Sequence, residues 1–108
     1  MARLFGPDLS NGTLVYVCAL RIELFFPHAH SLKERRALLR PVVEGLRNRF
    51  RVSVAEVGDA EKWQRASVGV AVVGSSVSVV DQMLDDCERF VWSFPEFDVL
   101  SVERSWLD

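Results

Sequence analysis

No run of apolar residues in this sequence approaches the roughly 18 that would suggest a membrane-spanning helix. The first residues, Met1-Ala2-Arg3-Leu4-Phe5-Gly6-Pro7-Asp8, lack the apolar stretch of a secretory signal. These two absences point to a cytoplasmic protein with no membrane role. Cysteine is scarce. Cys18 lies in an alternating apolar segment and Cys87 in a helical pattern, and both read as reduced core residues rather than a disulfide or redox pair. Histidine is as scarce. His28 and His30 share one loop, but two imidazoles with no cysteine or carboxylate nearby in sequence make an incomplete metal site. The sequence also lacks a glycine-rich phosphate loop, a nucleophile–base pair and a paired-carboxylate signature. No catalytic residue, metal or cofactor is therefore assigned, and an enzyme is not expected.

What the sequence does have is an uneven charge. Its 108 residues suit one domain with one modest core. The net charge is only −2. From His28 to Arg51 seven cations (Lys33, Arg35, Arg36, Arg40, Arg47, Arg49, Arg51) face two carboxylates (Glu34, Glu44), an excess of +5 that leaves −7 for the rest. Such separation in a short chain bears on its partners.

Periodicity sets the elements. Residues 1–13 read as a loose N-terminal segment, broken by Pro7, Asn11 and Gly12, with a tight turn at Asn11-Gly12. Residues 14–26 alternate as a first strand, with Leu14, Tyr16, Cys18, Leu20, Ile22, Leu24 and Phe26 toward the core. Ser31-Leu32-Lys33-Glu34 forms a capping box that opens a helix to about Phe50. Leu32, Leu39, Val42, Val43, Leu46 and Phe50 make its apolar face, and Pro41 predicts a kink or two short helices in series. A second strand covers 52–57 and a third, apolar on both faces, 66–73. A second helix follows Gly74-Ser75-Ser76 to about Ser93. Its core face is Val77, Val80, Leu84, Cys87 and Val91, and its acidic outer face Asp81, Asp85, Asp86 and Glu88. A last strand covers 97–106. The order β-α-β-β-α-β predicts a ferredoxin-like α+β sandwich, a four-stranded antiparallel sheet with two helices on one face.

Two groups of residues are candidates for function. At 100° per residue, Lys33, Arg36, Arg40 and Arg47 fall within about 60° of one another on the first helix. That row suits a phosphate backbone; the plain alternative is a solvated helix face, partly neutralised by Glu44 four residues after Arg40. Glu56, Trp63, Gln64 and Arg65 gather around the second connection as a ligand site or interface. The plain alternative there has Trp63 packed over a sheet edge and Arg65 paired with Glu56. Base stacking on the sheet, as in RNA-recognition domains, is disfavoured: Tyr16 falls on the core face and residues 67–72 hold no aromatic.

Ser31-Leu32-Lys33-Glu34-Arg35-Arg36, Leu46-Arg47-Asn48-Arg49-Phe50, residues 52–57 and Trp63-Gln64-Arg65-Ala66 together resemble the YlxP-like family of small bacterial proteins, a domain of unknown function. Residues 21–24 and 103–107 also match family positions, so the resemblance spans residues 14–107; residues 1–13 and Pro41 depart from it. It implies a ferredoxin-like fold, a bacterial cytoplasmic protein and a loose association with translation, because family members are often encoded near translation and ribosome-maturation factors. It implies no known reaction. The expectation is a non-enzymatic protein that binds RNA or ribosomal subunits through the first helix. The rival is a homo-oligomeric interaction module, a dimer through the open sheet face or a strand edge; a small-molecule-binding domain ranks third.

Overall fold

The computed structural model describes residues 14–58 and 62–107. The N-terminal segment, with its expected Asn11-Gly12 turn, and the middle of the second connection lie outside the described residues. The elements are β1 (Tyr16–Phe25), α1 (Leu32–Arg49), β2 (Ser53–Val57), β3 (Arg65–Gly74), α2 (Val77–Trp92) and β4 (Asp98–Leu107). The strands form one antiparallel sheet in the order β2-β3-β1-β4, with both helices packed on one face. This is the ferredoxin-like α+β arrangement.

Strand alternation decides which side chains meet the helices. Cys18, Leu20, Ile22 and Leu24 of β1 and Ala66, Val68, Val70 and Val72 of β3 are buried. Leu39, Val42 and Leu46 of α1 and Val80, Leu84, Cys87 and Val91 of α2 close over them. Val77, expected in this stripe, is 46% exposed, because it opens α2 one turn before the stripe is covered. Five phenylalanines extend the core at one end. Phe50, Phe90, Phe94, Phe97 and Phe26 touch in sequence with ring centroids 5.2–5.9 Å apart, in the favoured range for aromatic pairs. Gly45 makes this possible, because a Cβ there would collide with the Phe90 ring.

Both helices start on a serine cap. The Glu34 N–H donates to Ser31 Oγ at 3.1 Å and the Val79 N–H to Ser76 Oγ at 3.2 Å, each satisfying one of the free amides of a first turn. Pro41 does not divide α1. The helix runs unbroken for 18 residues through it, so of the two alternatives, a kink or two short helices in series, the second does not hold. Pro41 and Ala37 are both exposed, so water can reach the Ala37 carbonyl that loses its helical partner. Leu39, Val42 and Leu46 hold the segment to the sheet on either side.

Both thiols are fully buried. Burial pushes the Cys87 pKa from 9.0 up to about 11, and the nearby Asp86 charge adds to the effect. The native state therefore holds this proton more tightly than the unfolded chain. The corresponding stability is fully present below the unfolded value and is lost as pH rises through about 11. Urea unfolding under reducing conditions should show stability falling over that alkaline window, with a shallower fall in Cys87→Ala.

Candidate functional site

The basic row acquires a wall from the edge of the sheet. Arg36, Arg40 and Arg47 line a groove of about 280 Å³ with Leu39, Val43, Glu44 and Glu56. One side is α1 and the other is the edge strand β2. Lys33 is exposed about two turns nearer the helix start than Arg40 and does not line the groove. Arg47 donates from Nη2 to the Val54 carbonyl at 3.3 Å, so it lies along the strand edge. Among the described residues none of Lys33, Arg36, Arg40 and Arg47 forms an ion pair. Glu44, expected to neutralise Arg40, therefore does not bond to it.

Beneath the row lies a residue that sequence reasoning counted only as charge. Arg35 is fully buried, and its Nη1 meets Glu56 Oε1 at 2.5 Å. The signal was present: positions 35, 39, 42 and 46 share the helical stripe, with an arginine where an apolar residue belongs. Glu56 projects from β2 on the helix side of the sheet, across from Val68. Arg104 is the corresponding case on β4. Its position faces the helices, and it reaches Asp81 at 2.8 Å, Asp85 at 2.6 Å and Glu88 at 3.1 Å. Burial works against its charge, but the hydrogen bonds it donates to Asp85, Glu88 and Asp81 outweigh it and hold its pKa above the ordinary value. The acidic face expected of α2 is thus partly turned onto β4.

At the second connection the packing expectation fails. Trp63 is 57% exposed, and Glu56 is taken by Arg35 rather than Arg65. The helix-side setting of Glu56 explains this, because Arg65 lies across from Phe25 on the other face of the sheet. Trp63, Lys62, Gln64 and Arg65 surround an open hollow of about 400 Å³. Gln64 fastens this segment to the loop before α1. Its Nε2 donates to Pro27 O at 3.2 Å and Ala29 O at 3.5 Å, and its carbonyl accepts from the Phe26 N–H at 2.8 Å. His28 and His30 are both exposed on that loop. Among the described residues no three His, Cys, Asp or Glu side chains are grouped for a metal ion, and no helix is long and apolar enough to cross a membrane.

The face of the sheet away from the helices carries a shallow trough of about 530 Å³. Small side chains make its floor: Ala19 lies across from Ala71, and Gly69 lies between Arg21 and Ala55. Arg21 crosses it to Glu103 at 2.6 Å, and Ser67 Oγ donates to the Glu23 carboxylate at 2.7 Å.

The model of a family described as "Protein of unknown function (DUF503)" matches residues 17–104. The chain belongs to this family. The DUF503 chain is 38% identical over 78 residues to "Uncharacterized protein YlxP" of Bacillus subtilis (strain 168), an alignment covering 72% of this chain and 85% of that protein. Among solved structures, "De novo designed protein Foldit4" superposes with a TM-score of 0.48 at 15% identity, over 84% of this chain and 96% of that one. The matched region contains both Arg35 and Glu56, and the stability of this DUF503 chain should depend on their pair. Glu56→Ala removes the carboxylate facing a buried guanidinium and should cost about 3–5 kcal/mol in chemical denaturation. Arg89→Ala, which breaks an exposed i,i+3 pair, should cost only ~0–1 kcal/mol.

Proposed function

We propose that this DUF503 chain is a non-enzymatic, cytoplasmic RNA-binding protein of the ribosome-associated kind, which grips phosphates along α1. One observation carries the reading. Three arginines of the row line a single groove, and none of them is spent on a carboxylate among the described residues. The exposed Arg36 and Arg40 guanidinium groups retain their donors for phosphate oxygens, and Arg47 retains those it does not give to the Val54 carbonyl. The groove also holds Glu44 and Glu56, but Glu56 is held by Arg35. The +5 excess of this stretch, in a chain of net charge −2, adds a local attraction for polyanions that the rest of the molecule does not share.

Each phosphate contact releases a counterion, with a logarithmic salt slope of about −0.7 per contact on a single strand. Fluorescence anisotropy with ribosomal RNA fragments should therefore show affinity falling steeply with salt. The Arg36→Glu, Arg40→Glu double variant should bind more weakly to every sequence and with a flatter slope, while its folding changes by only ~0–1 kcal/mol per charge. Absence of binding to ribosomal RNA and subunits at low salt would overturn the reading. An equal slope in both proteins would remove α1 from it.

A second reading, pairing of two copies through the open sheet face, is favoured by its bare apolar surface. Ala19, Ala55, Val57, Ala71 and Val73 are exposed there, and Val17 and Leu107 half-buried. Three strands of about 33 Å and one of about 17 Å, at about 4.8 Å spacing, give a footprint of about 560 Å², the scale of a small interface per partner. Arg21 between Glu23 and Glu103 gives the patch the self-complementary charge that a two-fold contact requires. The face lies opposite the helices, so both readings can hold at once. Light scattering over a wide concentration range should give the mass of a dimer, reduced to a monomer by Ala71→Arg. A strict monomer at high concentration excludes the pairing.

A further inference from the structure

We propose that Trp63 is a base-stacking platform, which makes the ligand of the basic row a single-stranded rather than a duplex RNA; the inference rests on the phosphate-binding reading of α1. A tryptophan is the largest apolar side chain the protein can bury, yet here it is 57% exposed and contacts no other ring among the described residues. The next residue, Gln64, is tied by three hydrogen bonds to Phe26, Pro27 and Ala29. The indole therefore stands next to an anchored residue, and the Gln64 amide is occupied in that anchoring.

The surroundings indicate the chemistry. Lys62 and Arg65 border the same open hollow, and neither forms an ion pair among the described residues. An exposed indole that shares a hollow with two cations suits a nucleotide, whose base has a flat π-face and whose phosphate is an anion. The loop to which Gln64 is tied runs directly into Ser31, the cap of α1. Lys33 stands two residues beyond that cap, so the platform and the start of the basic row share one end of the molecule. From Lys33 to Arg47 the helix advances about 21 Å, the length of several nucleotides. A strand lying along the row from Arg47 toward Lys33 runs toward the end of α1 where the loop tied to Gln64 enters. Bases in a duplex are already stacked on one another and cannot open a face to Trp63; those of a single strand can.

The test compares a single-stranded oligoribonucleotide with a duplex of the same sequence, by fluorescence anisotropy at several salt concentrations. It uses the wild-type chain, Trp63→Ala, Trp63→Phe and the Arg36→Glu, Arg40→Glu double variant. Wild type should prefer the single strand. Trp63→Ala should weaken single-strand binding by about 5- to 150-fold, the range for losing one stacked base, and leave duplex binding and the salt slope unchanged, because no phosphate contact is lost. Trp63→Phe, which keeps a ring, should recover most of the loss and checks that folding is intact. If Trp63→Ala binds the single strand as wild type does while the double arginine variant does not, the platform is wrong and the groove stands. If Trp63→Ala weakens single strand and duplex equally, stacking as the source of preference is overturned. If wild type binds neither RNA at low salt, the groove reading fails and the platform falls with it.

Discussion

A charge buried under a helix must find an opposite charge, and in this protein that requirement fixes how α1 lies on the sheet. Arg35 occupies a core position of the helical stripe, and Glu56 is turned inward from the edge strand to meet it. Hydrophobic burial alone would tolerate small rotations of a helix about its axis, because apolar contacts are non-directional. A guanidinium–carboxylate contact is directional and does not tolerate them. With Arg35 aimed at β2, the residues roughly a third of a turn further round, Arg36, Arg40 and Arg47, must face the gap between helix and strand edge. The groove is therefore a consequence of the buried pair, and so is the alignment of the row with the outer edge of the sheet.

The two helices share one face of the sheet but differ in how their charges are used. On α2 the carboxylates converge on Arg104 of β4 and are partly consumed in holding helix to strand. On α1 only Arg35 is consumed in this way among the residues of the two candidate faces, and the row beside it stays exposed. Internal neutralisation on one helix and exposed charge on the other give the molecule a polarity. A polyanion approaching it meets attraction on the α1 side and residual repulsion on the α2 side.

Most of the fold was legible because it is written in periods. Alternation in β1 and the stripe of α2 place Cys18, Leu20, Ile22, Leu84 and Cys87 in the core, where they lie. The serine caps marked both helix starts. What was not legible depends on pairing across the sequence. The partner of Glu56 is 21 residues away on α1, while Arg65 is nearer along the chain but on the wrong face of the sheet. Trp63 read as a packing residue because tryptophan usually is one; no local pattern shows that it stays 57% exposed. Pro41 read as a kink or a split because local rules weigh its lost hydrogen bond. They omit the sheet contacts of Leu39, Val42 and Leu46, which hold the helix in one piece.

The Arg47 bond to the Val54 carbonyl bears on a hazard common to every open sheet. Each edge strand offers unpaired backbone groups that a neighbouring chain can extend without limit. Here β2 is only five residues long, and a cation covers part of its outer side. The other edge, β4, meets β1 through an irregular register at Glu23/Leu24, which interrupts the flat ladder that extension needs. Growth edge to edge is thus discouraged at both ends of the sheet. Crowding therefore meets no long, regular edge among the described strands from which this sheet could be extended into a fibril.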